Sequence, residues 1–352
     1  MTTAPARRIR VLVIDDSAVV RTVLSRGLAR DPSIEVVGAA TDPYEARDML
    51  VRLRPDVLTL DIEMPRMDGI TFLEKMMAVM PTPTIILSSL ATRQSALAIR
   101  GLQCGAVDVV AKPRADVAAG LEAMMAELIS HVKAASTARV SIKQRDTASV
   151  RPNAAPLQET TDQVLGLGAS TGGVSALSRI LPAFPAWSPG IVIVQHMPEG
   201  FTRDFALRLA PTCQMKISEA RDGDRVLRGH ILVAPGGDRH LEVHRYGGEY
   251  RVRIIKKPPV MGHCPSVDVL FASLADQVGP NASACLMTGM GDDGAAGLLR
   301  LRLAGGRTYA QDRETTAVWG MPAAAQALGA AEAMIPLGDI PAVLLRATRV
   351  PA

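Results

Sequence analysis

Aromatic residues are scarce in this chain: Phe, Trp and Tyr together make up 3% of its 352 residues. A core built mainly on aromatic rings is excluded, so packing has to rest on aliphatic side chains and on methionine. Cysteine is sparse as well. Cys104, Cys213, Cys264 and Cys285 lie far apart, without the close pairs that zinc sites and dithiol redox motifs need, and buried reduced thiols are expected instead. No run reaches the roughly 18 uncharged apolar residues of a membrane span. The first strand-like run, Ile9 to Ile14, is preceded by Arg7 and Arg8 and followed at once by Asp15 and Asp16, which is not the layout of a secretory leader. A cytoplasmic protein is the expectation.

A large surplus of one charge is also missing. The net charge is +4, and Lys133, Arg139, Lys143, Arg145 and Arg151 against Asp146 already supply that much within one segment, leaving the rest near neutral. No nucleic-acid partner is expected on electrostatic grounds. Hydrophobic residues at 48% and charged residues at 21% are ordinary globular proportions and exclude a disordered chain. The length is too great for one core of common size, so two domains are expected.

Residues 7–128 alternate short β-branched runs with helix-length segments. Arg10 to Ile14, Ile34 to Ala39, Val57 to Leu60, Thr84 to Leu87 and Val107 to Val110 read as buried parallel strands. In the first helix Val19, Val20, Val23, Leu24 and Leu28 share a face, with Asp16 or Ser17 as cap. Five such units predict a doubly wound, flavodoxin-like sheet. Periodicity then fails, and 129–160 reads as a flexible linker rich in Ala, Ser, Thr, Arg, Gln and Pro. A second α/β series fills 161–347, with apolar runs at Val164 to Leu167, Ile191 to Val194, Ile231 to Val233 and Ala284 to Met287. It predicts a Rossmann-like domain with a mainly parallel sheet.

In open parallel sheets ligands bind beyond the carboxyl ends of the strands. Asp15 and Asp16 follow the first strand, Asp61 the third, Ser88 the fourth, and Lys112 with Pro113 the fifth. Each alone is more readily a capping Asp or a surface Lys. Together they form a pocket in which clustered carboxylates call for a hard cation such as Mg²⁺, a carboxylate can attack a phosphodonor, and a lysine can neutralise the product. The runs Val-Leu-Val-Ile-Asp-Asp-Ser, Asp61-Ile-Glu-Met-Pro-Arg-Met-Asp-Gly69 and Lys112-Pro113 resemble the receiver domain of bacterial response regulators. That resemblance implies Asp61 as phosphoacceptor, with Asp16 and Asp61 as Mg²⁺ ligands supported by Asp15. It adds the backbone carbonyl of Glu63 to the metal site and makes Ser88 the hydroxyl that reorients toward the phosphate.

Gly168-Ala169-Ser170-Thr171-Gly172-Gly173 follows the first apolar run of the second domain and precedes a helical pattern at Ala176, Leu177 and Ile180. Such a turn projects its serine and aims backbone amides at nearby charge. A dinucleotide loop is the competing reading. It is weakened because Thr171 stands where the third glycine belongs and the next strand ends in Gln195-His196, with no ribose-binding acid. A serine nucleophile needs a base, usually histidine. Of six histidines, His131 adjoins the linker, and His230 and His244 sit among charged turn residues. His196 ends an apolar strand and would converge with Ser170 if the two strands are neighbours; His240 and His263 remain possible. The orienting acid belongs to Gly289-Met290-Gly291-Asp292-Asp293-Gly294, where residue chemistry does not choose between Asp292 and Asp293. No basic recognition helix or exposed apolar face is found that would suit a second domain built only for binding.

Four motifs make this domain resemble the catalytic domain of the chemotaxis protein-glutamate methylesterases. They are Gly-Ala-Ser-Thr-Gly-Gly; Val-Gln-His196-Met-Pro with Phe-Thr-Arg-Asp-Phe; Pro-Ser-Val-Asp268-Val-Leu-Phe; and Thr-Gly-Met-Gly-Asp-Asp-Gly. With the receiver ahead of it, the resemblance spans nearly the whole chain outside the linker. It implies a Ser170–His196–Asp293 triad, the Met290 amide as an oxyanion donor and Thr171 as a neighbour positioning the histidine. It further implies hydrolysis of glutamyl methyl esters on methyl-accepting receptors, glutamine deamidation by the same path, a histidine kinase as phosphodonor, and no cofactor for the ester reaction. The membrane would be met only through the receptors, and the unphosphorylated receiver is expected to shield the Ser170 cleft. Two departures are Cys264, where the family often has Arg, and Ser88, where Thr is commoner.

Overall fold

The computed structural model describes residues 7–88, 92–112, 118–140 and 162–347. Pro113, residue 161 and most of the expected linker, 141–160, lie outside the described residues. The chain divides into two compact units, Met1–Arg145 and Asp146–Ala352.

The first unit runs β1 (Ile9–Ile14), α1 (Ala18–Leu28), β2 (Ile34–Ala40), α2 (Pro43–Leu53), β3 (Val57–Asp61), α3 (Gly69–Val79), β4 (Thr84–Ser88), α4 (Thr92–Gln103), β5 (Asp108–Ala111) and α5 (Ala118–Ser136). Its five strands lie in the order β2-β1-β3-β4-β5, all parallel, as the doubly wound reading predicts. Val11 to Ile14, Leu58, Leu60 and Ile85 to Leu87 are fully buried, because a parallel sheet is covered on both faces. Helix α1 packs on α5, while α3 neighbours both α2 and α4.

Two details of this unit differ from the sequence reading. Ser17, not Asp16, caps α1 by accepting from the amide of Val20, and Val19 faces solvent at 73% exposure. The buried face of α1 is Leu24, Gly27 and Leu28. Helix α5 also continues through Ser136, eight residues into the stretch assigned to the linker. Leu128, Val132 and Ala135 form a buried helical stripe there, and His131 pairs with Asp108 at 2.9 Å. His131 is thus a helix residue of the first unit.

The second unit runs β6 (Val164–Ala169), α6 (Gly173–Ile180), β7 (Gly190–Gln195), α7 (Phe201–Leu209), β8 (Lys216–Glu219), β9 (His230–Val233), β10 (His240–Tyr246), β11 (Glu249–Ile255), α8 (Val267–Gln277), β12 (Ala282–Leu286), α9 (Ala295–Leu303), β13 (Arg307–Gln311), α10 (Met321–Ala327), β14 (Ala333–Ile335) and α11 (Ile340–Ala347). Seven strands form one sheet in the order β14-β13-β12-β6-β7-β9-β8, every pairing parallel. Strands β10 and β11 make a separate antiparallel hairpin. His230 opens β9 and His244 lies within β10, so neither is a turn residue; His244 sits 3.0 Å from Glu242 on the same strand face.

The core of this unit is aliphatic, with Phe184, Phe201, Phe205 and Phe271 fully buried within it. No disulfide links the cysteines. Cys213 and Cys285 are buried as expected, whereas Cys104 and Cys264, in loops outside the helices and strands, are only half-buried. Among the described residues no helix is long and apolar enough to cross a membrane.

Candidate active site and acidic pocket

In the seven-stranded sheet the chain turns outward from β6 in both directions: β7 lies on one side and β12 on the other. The crevice at such a switch point, beyond the carboxyl ends of the strands, is where ligands bind in open α/β sheets. Ser170 follows β6, His196 follows β7, and the segment Thr288 to Gly294 follows β12.

Pairing of β6 with β7 sets Ala169 opposite Gln195, so the next residues, Ser170 and His196, leave the sheet side by side. The His196 amide donates to the Ala169 carbonyl at 3.1 Å. Gln195 straps the two together: its Nε2 donates to the carbonyls of Ser170 (2.9 Å) and His196 (3.1 Å). The turn closes with the Gly173 amide donating to the Ser170 carbonyl at 2.7 Å, and Gly172 takes a left-handed φ of 78° that a side chain would disfavour. On the β12 side, a Cβ placed on Gly289 would lie 2.7 Å from the Ser170 Cβ, so the turn leading to Met290 packs directly against Ser170. The amide of Ser170 is itself engaged, donating to the Thr288 carbonyl at 2.9 Å. Thr171, buried beside it, accepts from the Thr288 hydroxyl through its own carbonyl at 2.9 Å.

Asp293, not Asp292, reaches the imidazole. Its Oδ2 lies 2.8 Å from Nε2 of His196, while Asp292 is exposed. Three more donors hold the carboxylate: the Ser266 hydroxyl (2.7 Å) and the amides of Val267 (2.7 Å) and Asp268 (3.1 Å). Val267 opens α8, so the carboxylate sits at a helix N-terminus, where unpaired amides and the helix dipole favour negative charge. Burial opposes ionisation of Asp293, but these donors and His196 outweigh it and hold the carboxyl below its ordinary range. A carboxylate on Nε2 makes that nitrogen the protonated one. Nδ1 of His196, buried and without a hydrogen-bond partner among the described residues, then carries the lone pair.

The other histidine candidates have different places. His240 is buried, with Nδ1 accepting from the Ser266 amide and Nε2 3.1 Å from the Pro258 carbonyl. His263 stacks on the ring of His196. Cys264, beside it, lines a cleft of about 460 Å³ with Gly237, Asp238, Lys256, Lys257, Pro258 and Pro259. Sequence reasoning missed Ser266, Gln195 and Thr288. Ser266 was within reach, since a serine directly before an apolar helical run is a capping signal.

In the first unit, the order β2-β1-β3 places a switch point beside β1, and the acidic residues lie there. Carboxylate oxygens of Asp15, Asp16 and Asp61 fall within 4.8 Å of one another, a cluster of hard oxygen donors that suits Mg²⁺. Nζ of Lys112 donates to Asp15 at 2.8 Å and pairs with Asp61 at 2.9 Å. Burial and the neighbouring Asp15 push the Asp61 carboxyl up against the pull of Lys112; burial of Lys112 is outweighed by the two carboxylates, which raise its pKa. Ser88 is fully buried at the end of β4, and Glu63 is exposed two residues past Asp61.

Comparison with known proteins identifies the two units. Residues 165–344 match the model of the CheB methylesterase family, and residues 11–122 match that of the response regulator receiver domain. A protein-glutamate methylesterase/protein-glutamine glutaminase of Syntrophotalea carbinolica is 52% identical over 339 residues, covering 95% of this chain and 96% of the relative. One from Pseudomonas aeruginosa is 51% identical over 338 residues, covering 96% of each. The crystal structure of the Thermotoga maritima CheB methylesterase catalytic domain superposes with a TM-score of 0.51 at 36% identity, over 52% of this chain and 97% of that domain. The chain therefore belongs to the CheB methylesterase family and carries a response regulator receiver domain ahead of its catalytic half.

Proposed function

We propose that this chain hydrolyses γ-methyl esters of glutamate side chains on methyl-accepting chemoreceptors, deamidates receptor glutamines by the same path, and is activated when a histidine kinase supplies a phosphoryl group to Asp61. The observation that carries the hydrolytic reading is the 2.8 Å contact between His196 Nε2 and Asp293, made at the strand end next to Ser170. In this reading Nδ1 of His196 takes the Ser170 proton and the oxygen attacks the γ-carbonyl. Backbone amides, that of Met290 among them, meet the oxyanion, each worth roughly 2.7–4 kcal/mol. The tetrahedral adduct collapses and expels methanol, protonated by His196; water, deprotonated by the same imidazole, then frees the glutamate and restores Ser170. With a glutamine substrate ammonia leaves instead. Thr171 keeps the imidazole in place.

In the receiver, Asp15, Asp16, Asp61 and the Glu63 carbonyl would hold Mg²⁺, which when bound offsets their mutual repulsion and the charge of the phosphodonor. Asp61 accepts the phosphoryl group, Lys112 neutralises it, and the Ser88 hydroxyl turns toward it. We take the receiver to run from residue 7 to Ser136, the joining segment over 137–161 and the catalytic domain over 162–347.

Methanol release from methylated receptor membranes tests the activity, with Ser170→Ala expected to lose at least about a thousandfold. For the regulation, residues 154–352 alone should outpace the unphosphorylated full chain. Equal rates would remove the case for restraint by the receiver.

A further inference from the structure

We propose that His263 is a positioning residue of this active site, its ring fixing the plane of the His196 imidazole for proton transfer. The proposal rests on the reading of Ser170 and His196 as nucleophile and base. The two rings stack with centroids 4.0 Å apart and an angle of 11° between planes. The bond to Asp293 holds His196 at one atom, Nε2, and leaves rotation about that contact open. The final torsion of a histidine side chain is broad, so that bond and the backbone alone do not set the direction of the Nδ1 lone pair. A flat ring in parallel contact does.

The loop that carries His263 is built to hold it still. Residues 256–266 join β11 to α8, and within them Val260 and His263 exchange two backbone hydrogen bonds of 3.0 and 2.8 Å. The two residues between, Met261 (φ 50°) and Gly262 (φ 81°), are both left-handed, as a tight two-residue hairpin turn requires. A methionine there is disfavoured and persists only where the surroundings enforce it. The buried His240 supplies that enforcement: one imidazole contacts Pro258 and Ser266, on either side of the turn. Ser266 also donates to Asp293, so the stacking ring and the acid are held by one segment. The base is gripped at its edge by Asp293 and on its face by His263.

The test uses the full chain with His263→Phe, which keeps a flat ring, and His263→Leu, which fills similar space without one. Two readouts are taken: kcat and KM for methanol release, and the rate at which a fluorophosphonate labels Ser170, which reports serine activation whatever the natural ester. The Leu variant should lose about ten- to a hundredfold in kcat and in labelling rate, on the scale of a misoriented catalytic group, with KM within about twofold. The Phe variant should recover most of both. Wild-type labelling by the Leu variant would overturn the proposal, as would a Phe variant that melts like wild type yet labels as slowly as Leu. Should wild type label readily but release no methanol, the substrate reading fails, while the comparison of labelling rates still decides the role of His263.

Discussion

Asp293 grips His196 through Nε2, at 2.8 Å, which in the proposed mechanism leaves the general-base role to Nδ1. The Ser-His-Asp enzymes of the chymotrypsin type use the opposite arrangement, with the acid on Nδ1 and the base at Nε2.

Asp293→Asn should therefore invert the tautomer, because an amide can donate to Nε2 and leave the proton on Nδ1. A loss of about 10⁴ in kcat is expected, as for such a change elsewhere. Asp292→Asn, at an exposed site, should stay within about twofold of wild type. Steady-state kinetics on both variants decide the matter. Equal losses would mean that the acid has been misassigned.

Ser266→Ala removes a donor to Asp293 and the cap of α8. Thermal stability should drop by about 1 kcal/mol from the cap. The sign for pH follows from the depressed Asp293 pKa: its contribution to stability is present above the ordinary carboxylate range and is lost as pH falls through the folded value. With one donor gone the folded value rises, so the variant should unfold at higher pH than wild type on acid titration. Superimposable acid transitions would contradict this.

Chelation of divalent cations should stop phosphoryl uptake at Asp61 and leave basal ester hydrolysis unchanged, because the oxygen cluster of Asp15, Asp16 and Asp61 belongs to the receiver alone. Lys112→Met should push the Asp61 carboxyl higher still, since burial already raises it and Lys112 opposes that. Radiolabelled phosphoryl transfer from the kinase checks both, with slower labelling expected in the variant. Uptake persisting in excess chelator would remove Mg²⁺ from the scheme.

His131 offers a second pH test. Burial works against its charged form, but Asp108 and Glu127 prevail and raise its pKa above the ordinary histidine value. A raised histidine stabilises the fold fully below its unfolded pKa of about 6.5 and loses that contribution as pH climbs through the folded value. The urea midpoint of the receiver should fall as pH rises above that range. His131→Gln should flatten the dependence, and parallel curves for the two proteins would count against it.

The sequence was most readable where strands are buried on both faces. In β1, β3, β4, β6, β7 and β12 that burial favours near-continuous apolar runs, and most residues of both proposed sites hang from their ends. Strands β10 and β11 escaped because they carry charge at alternate positions, as in His240–Tyr246, and β14 because it has only three residues. The tail of α5 was lost to the linker because its stripe is carried partly by alanines, which read as filler until Leu128 and Val132 are seen buried beside them. Choosing Asp293 over Asp292 by residue chemistry was out of reach for another reason: the deciding feature, the N-terminus of α8, comes from a segment some 25 residues earlier in the chain. His263 likewise looks like any isolated histidine until the 256–266 loop brings it onto His196.

The engaged amide of Ser170 bears on how this enzyme could be blocked. Electrophilic drugs shaped for chymotrypsin-like proteases rely on the serine's own N–H as part of the cradle for the adduct's negative oxygen. Here that N–H is tied to Thr288, so such a warhead would arrive with its oxygen aimed at an occupied donor. In the proposed mechanism, selective inhibitors should instead direct that oxygen toward the backbone beyond Gly289.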